Sequence, residues 1–423
     1  MTSRTLNGIR RASRQRVFLT PVAIAFCATC AWAADPETPA FSFSGFGTLG
    51  VVHSSEGRAD YSTGTIRPNG AGYSNDWSFD VDSRVAAQVS ADFTQNISAV
   101  MQVIVEQRHD KTYFPTVEWL NVKYQFTPDF SFRAGRIVLP TLLVSDYRKV
   151  GYANQWLRPP VEVYDLIPIT NGDGVDFSYR ASLGEFRNTL QGIFFRTNPR
   201  LPVGAGTAKA RDSIGLVYTG EYGGATARIA HVRGKATLDA FEPLFDALGQ
   251  FGPEGTALVD KYGTVDKLYT FTTIGGSYDS GNWYAMGEWG VADLHNIVGK
   301  KSAWYLSGGY RLGAFTPYVT YARVKKDSVT SDPGLTVSAL PPFLAGPAAA
   351  LNAALNTQLA SGPVQRTISV GGRWDFAKNA ALKVQVDHIR IGAGSTGTLI
   401  KVQPDFQPGG KVNVFSATID FVF

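Results

Sequence analysis

The stretch Val414-Phe415-Ser416-Ala417-Thr418-Ile419-Asp420-Phe421-Val422-Phe423 closes the chain and decides how the rest is read. Successive side chains of an extended strand point to opposite faces. Phe415, Ala417, Ile419, Phe421 and Phe423 therefore share one face, and Val414, Ser416, Thr418, Asp420 and Val422 share the other. One wall is greasy and the other mostly wet. Chain ends are usually polar and frayed, so a strand of this kind predicts a pairing partner. A closed β-barrel in a membrane supplies one, because the last strand must pair with the first to leave no edge in hydrocarbon.

Working back from that ending, the same alternation recurs. Phe79, Val81, Val85, Ala87, Val89, Ala91 and Phe93 oppose Asp80, Asp82, Arg84, Gln88, Ser90 and Asp92. Leu120, Val122, Tyr124 and Phe126 oppose Asn121, Lys123 and Gln125, and Ile368, Val370, Trp374 and Phe376 oppose Ser369, Arg373 and Asp375. Charges at period two would ruin a sandwich core but suit a watery lumen. Sixteen such runs cover 41–52, 77–93, 97–108, 116–126, 130–137, 174–181, 186–195, 213–221, 225–233, 268–278, 283–291, 302–312, 315–325, 366–376, 380–391 and 413–423. The predicted fold is all-β: a transmembrane antiparallel β-barrel of sixteen strands, wide enough for an aqueous channel. Short turns such as Thr94-Gln95-Asn96 and Thr127-Pro128-Asp129 alternate with long loops near 54–76, 138–173, 234–267, 326–365 and 392–412. Helix-like patches at 238–248 and 348–359 predict short helices over the barrel mouth.

The N-terminus carries an export pattern. Arg4, Arg10, Arg11, Arg14 and Arg16 precede an apolar run from Val17 to Ala31, and Ala31-Trp32-Ala33 offers a cleavage site. Residues 1–33 are read as a removed signal peptide and 34–423 as the barrel. The whole-chain charge of +5 then falls to balance, at 35 basic against 35 acidic residues. The basic pI thus gives no ground for nucleic-acid binding. Cys27 and Cys30 leave with the leader, so no disulfide is expected in the barrel.

Catalytic and cofactor motifs are not in evidence. Gly45-Phe46-Gly47-Thr48-Leu49-Gly50 matches GxGxxG, but it reads as the first strand, where glycines ease packing or curvature, rather than as a strand-to-helix turn. The five histidines are isolated, without metal-site spacing. No cofactor, metal or enzymatic activity is expected.

The long connection between strands five and six stands apart. It holds Leu142, Leu143, Val144, Tyr147, Tyr152, Trp156, Val161, Val163, Tyr164, Leu166 and Ile167, a content that demands burial. Folding inward onto the barrel wall would provide it. With an export leader, sixteen strands, an inward-folded third loop and the ending Ile419-Asp420-Phe421-Val422-Phe423, the mature chain resembles the Gram-negative general porins along its whole length.

That resemblance implies a homotrimer in the outer membrane, in contact with its lipids and inserted by the barrel-assembly machinery, with Phe421 and Phe423 as the assembly signal. It implies passive diffusion of small hydrophilic solutes and ions, with the third loop narrowing the pore. The loop departs from the acidic pattern of a cation-preferring porin: Arg148, Lys149 and Arg158 offset Asp146, Glu162, Asp165 and Asp173. Strand parity places Arg84, Glu106, Lys123, Arg133, Arg180, Arg228, Arg373, Asp375, Lys383 and Asp387 toward the lumen, seven bases to three acids. The candidate constriction set is Arg84, Lys123, Arg133, Arg136, Asp146, Arg148, Lys149, Arg158, Glu162, Asp165 and Arg180, and it predicts a mild anion preference. The alternative is a substrate-selective porin for small organic anions, phosphate or sugars, with Tyr147, Tyr152, Trp156 and Tyr164 as a stacking track.

Overall fold

A computed structural model describes residues 39–202 and 205–423. The expected leader at 1–33 lies outside the described residues. Sixteen long strands run in chain order: β1 (Ala40–Ser54), β2 (Arg84–Asp92), β3 (Ile97–Glu106), β4 (Thr116–Gln125), β5 (Phe130–Val138), β6 (Asn171–Leu183), β7 (Phe186–Thr197), β8 (Ala208–Tyr222), β9 (Ala225–Leu238), β10 (Lys267–Asp279), β11 (Trp283–Leu294), β12 (Gly299–Tyr310), β13 (Phe315–Lys326), β14 (Gln365–Ala377), β15 (Ala380–Ile391) and β16 (Lys411–Val422). Each pairs antiparallel with the next, and the two-residue piece Trp77–Ser78 leads into β2. All sixteen runs contain a strand, but the run 77–93 is broken by a turn at 79–83, so Phe79 and Val81 lie outside the alternation of β2. No described helix is long and apolar enough to cross a membrane; the strands do the crossing.

Closure is made by β16 on β1, with pairs running from Phe46↔Val422 to Ser54↔Val414. The bond pair Gly45 N–H to Phe423 O (2.8 Å) and Phe423 N–H to Gly45 O (3.0 Å) extends the seam. The glycines of the GxGxxG match now have a physical reason. A Cβ on Gly47 would overlap the Phe421 ring and one on Gly45 the Phe423 ring, so each aromatic lies flat across the neighbouring strand. The two rings stack with centroids 6.4 Å apart. Aromatic rings covering cross-strand glycines pin register as well as shielding the backbone.

Outward faces carry exposed Phe, Leu, Ile, Val, Tyr and Trp, including Phe41, Leu49, Leu120, Phe194, Leu216, Ile274, Val319 and Phe423. A band of this composition suits hydrocarbon. The turns at one end are short, at 93–96, 126–129, 184–185, 223–224, 280–282, 311–314 and 378–379, while the other end bears the long loops. Over that mouth, α1 (Glu242–Gly249), α2 (Gly252–Tyr262) and α3 (Pro342–Ala360) pack through Phe245, Leu248, Leu258, Leu355 and Leu359, with Ile297 and Leu335. The helix α2 adds to the two expected, because the patch at 238–248 continues past Gly252, whose φ of +62° lets the chain turn and restart.

The inner wall is not uniformly wet. Phe195, Val232, Phe271, Tyr284, Tyr305, Tyr318 and Ala322 point inward from β7 and β9–β13, and they form one cluster with Leu142, Val144, Trp156, Val163, Tyr164 and Ile167 of the third loop. The loop folds inward and dries one half of the lumen. It also dries the inner face of β16: Ser416 and Asp420 are buried beneath it, so the wall expected to be wet is covered.

Candidate functional site: a pore narrowed by the third loop

The third loop, residues 139–170, is fixed to the wall by polar anchors spread around the barrel. Lys383 on β15 has no exposed surface; its ammonium donates to the carbonyls of Gly151 (2.6 Å), Asn154 (2.8 Å) and Trp156 (2.9 Å) and pairs with Asp420 at 3.0 Å. Arg373 on β14 donates to Tyr152 O (2.7 Å) and Asn154 O (3.0 Å). On the opposite arc, Glu288 of β11 accepts from Leu143 N–H (2.6 Å), Tyr164 Oη (2.8 Å) and Tyr305 Oη (3.1 Å). Arg228 of β9 donates to Leu142 O at 2.8 Å. Buried polar groups are costly unless hydrogen-bonded, so these contacts both allow the loop inside and hold it there.

Arg158 is the deepest loop anchor. Its guanidinium grips Asp82 (2.6 and 3.0 Å) and reaches Ser416 (2.7 Å), Tyr61 (3.0 Å) and Asp387 (3.5 Å). Glu162 accepts from Gln365 at 2.7 Å and from Thr367. Asp146 pairs with Arg228 at 3.1 Å. Lys149 bridges Glu106 and Glu118, each at 2.8 Å. Asp165 accepts from the N–H (2.8 Å) and hydroxyl (3.2 Å) of Thr65, tying the third loop to the first.

Arg148 differs from its neighbours. Its guanidinium donates only to carbonyls, Tyr164 O (2.8 Å) and Ile167 O (3.1 Å), and lies over the Tyr164 ring at 5.2 Å. Among the described residues no carboxylate pairs with it. Burial pulls it down to about 10, so it remains a cation at neutral pH. Arg84, opposite Glu106 in register, donates to the Asp82 carbonyl at 3.1 Å.

The remaining candidates sit on the wall facing away from the loop's apolar dock. Lys123 and Arg133 are register partners on β4 and β5, and Arg133 holds the buried Asp176 at 2.8 Å. Arg180 lies two alternations further down β6 and is exposed. Arg136 sits three residues from Arg133, so strand alternation separates the two. Arg136 forks Asp173 (2.8 and 3.1 Å) at the loop's root, where both stay partly exposed. The structure thus brings Arg84, Arg148, Lys149 and Arg158 around one space and leaves Lys123, Arg133 and Arg180 as a separate basic strip below.

That space is a cavity of about 450 Å³ between the first loop, the third loop and β2–β6. Arg67, Arg84, Arg108, Arg136, Arg148, Lys149, Arg158 and Arg200 line it, against Glu106, Glu118 and Asp173: eight bases to three acids. Sequence parity missed Arg67, which donates to Gln107 O (2.7 Å) and Glu106 (3.2 Å), because it comes from the first loop. It missed Glu118 because a bulge between Gln102 and Val103 shifts β4 against β3. The aromatic track does not form: Trp156 and Tyr164 are 2% and 1% exposed, packed edge-on and tilted against Tyr305.

Burial pushes the Asp165 carboxyl up to about 6. It is therefore mostly ionised at pH 7.5 and mostly neutral at pH 5, so acidification removes a negative charge beside the cavity. The anion-to-cation permeability ratio is expected to rise across that interval, and Asp165→Asn should flatten the rise. Reversal potentials in a salt gradient at the two pH values check this; an equal rise in the variant would assign it to other groups.

No protein-family model matches the chain. No curated protein matches it in sequence either. Solved structures do match in shape. An anion-selective porin from Comamonas acidovorans superposes with a TM-score of 0.54 at 13% identity, over 91% of this chain and 100% of that one. The outer-membrane channel DcaP of Acinetobacter baumannii gives 0.54 at 13% identity, over 91% and 97%. OmpF of Salmonella typhi, in complex with daunomycin, gives 0.53 at 12% identity, over 90% and 97%. By fold, this chain is a sixteen-stranded antiparallel barrel similar to those porins.

Proposed function

We propose that the chain is an outer-membrane channel through which small hydrophilic solutes and ions diffuse passively, with a preference for anions. One observation carries the preference: the cavity beside the third loop has eight bases to three acids, and its Arg148 has no carboxylate partner among the described residues. Low-dielectric walls around a narrow aqueous space focus the field of such charges. The solved anion-selective porin of the same fold supports the reading by analogy alone. The export leader, the outward apolar band and the short-turn end support the Gram-negative outer membrane as its location. A trimer is part of the proposal, with the outward face of β1 and β2 around Phe41, Phe43, Leu49 and Ala87 as the contact face; cross-linking in native membranes tests it.

Planar-bilayer recording tests the channel directly, and absence of channels would sink it. A unit charge about 6 Å from a passing ion in water is worth about 0.7 kcal/mol, or about threefold in permeability. Because the charge favours the anion and opposes the cation by that amount each, Arg148→Gln should lower the anion-to-cation ratio about tenfold, and adding Arg84→Gln should lower it further. Arg133→Ala should act in the same direction, because it removes a cation and leaves Asp176 uncompensated. Unchanged reversal potentials in the Arg148 and Arg84 variants would leave the basic cavity without a role in selectivity.

A further inference from the structure

Beside the basic cavity lies a second space of about 390 Å³ with a different character. The two are adjacent, sharing the wall formed by Ile66, Pro168 and Ile169. Elsewhere the inward apolar side chains of β7 and β9–β13 are covered by the third loop, but here the half-buried Leu166, Ile169, Leu238 and Leu294 border an open hollow whose floor reaches the buried Ala236 and Phe271. Apolar surface left open in an aqueous vestibule is unfavourable unless something occupies it. The volume falls within the range of small-molecule sites, about 300–1,000 Å³.

Three cations stand at its edge, Lys209, Lys301 and Lys326, and Lys209 is paired with Asp239 at 3.3 Å. Lys301 and Lys326 are register partners on β12 and β13. Lys326 is held by the carbonyl of Leu359 on α3. Lys301 is half-buried, and among the described residues no hydrogen bond or ion pair engages its ammonium. The acid facing them is Asp165, one of whose oxygens is already taken by Thr65. An apolar hollow with an unengaged ammonium at its rim matches a molecule that is greasy at one end and anionic at the other.

We propose that this hollow is a binding site for an amphipathic organic monoanion, an arylalkyl or medium-chain carboxylate, with its apolar body against Leu166, Leu238 and Leu294 and its carboxylate on Lys301. The inference rests on the channel reading and deepens it. The site captures the solute at the mouth, and the shared edge at Ile66 and Ile169 passes the carboxylate to Arg148 and Arg84. Size and charge alone would admit acetate as readily; the hollow adds affinity only for anions with an apolar body, at about 25 cal/mol per Å² of apolar surface buried.

The test is block of chloride current in planar bilayers by 4-phenylbutyrate, compared with acetate at equal ionic strength. The expected half-blocking concentration of 4-phenylbutyrate is at least tenfold below that of acetate. Lys301→Met should raise it at least fivefold, and Ala236→Phe, which fills the hollow, should abolish the difference between the two anions while chloride still passes. Asp165→Asn, which keeps the acceptor for Thr65, should lower it. Equal block by the two anions, or block by 4-phenylbutyrate unaltered in both Lys301→Met and Ala236→Phe, overturns the site and leaves the channel reading standing. Absence of any channel would overturn both.

Discussion

Replacing Lys383 with methionine is expected to free the third loop and destabilise the barrel. The wild-type ammonium is fully buried and holds three loop carbonyls and Asp420 at once. Methionine fills similar space but donates nothing. Asp420 would keep the Thr48 hydroxyl at 2.6 Å while losing its counter-charge. Removing one member of a buried ion pair typically costs about 3–5 kcal/mol, because the survivor stays buried and uncompensated. The carbonyls of Gly151, Asn154 and Trp156 lose a shared donor in the same step, and that segment of the loop should leave the wall. The readouts are a lower temperature for the loss of the folded band in gels and single-channel currents that flicker between levels. The double variant Lys383→Met/Asp420→Asn should recover much of the heat stability without quieting the current, since it removes the orphaned charge but not the need for a donor. Native heat stability and steady currents in the single variant would show that the loop is held by its apolar packing alone.

Deleting Phe423 is expected to have the second large effect, on assembly rather than on conduction. The residue contributes its N–H and its carbonyl to the bond pair with Gly45, and a ring that covers Gly45 on the outer face. Unsatisfied backbone groups facing lipid cost several kcal/mol each. Losing the Gly45 bond pair at the end of the seam therefore shifts the balance by well over the ~1.4 kcal/mol that makes a factor of ten. The folded fraction recovered from membranes should fall at least about tenfold. Gly47→Val should produce a similar loss by a different route, since its side chain displaces the Phe421 ring. Barrels that do form should keep native conductance and selectivity, because both rings face away from the lumen. Normal yields of the deletion would remove the assembly role assigned to Phe421 and Phe423, and altered selectivity with normal yields would place the effect in the pore instead.

The contrast between these experiments reflects what could be read from the chain. Period-two alternation located all sixteen strands, since which face each side chain takes is a local property of an extended backbone. The content of the third loop forecast its inward fold, because Trp156, Val163 and Tyr164 needed burial. Parity also set Arg84, Lys123 and Arg133 on the inner face. It could not say that Lys123 and Arg133 lie level with each other while Arg84 stands by the loop. Levels between strands depend on the stagger of the closed barrel, which alternation does not encode.

At the closing strand the two kinds of information separate most clearly. The alternation from Val414 to Phe423 by itself determined a membrane-facing wall of Phe415, Ile419, Phe421 and Phe423, and with it the class of fold. Only the tertiary structure decided the other wall. Ser416 and Asp420 looked solvent-facing because they are polar, yet they meet Arg158 and Lys383 beneath the third loop. Their partners lie 258 and 37 positions away in the chain, on a loop and on the neighbouring strand. Polarity fixes that a group needs a hydrogen-bonding partner; only closure of the barrel and the docking of the loop determine whether that partner is water or protein.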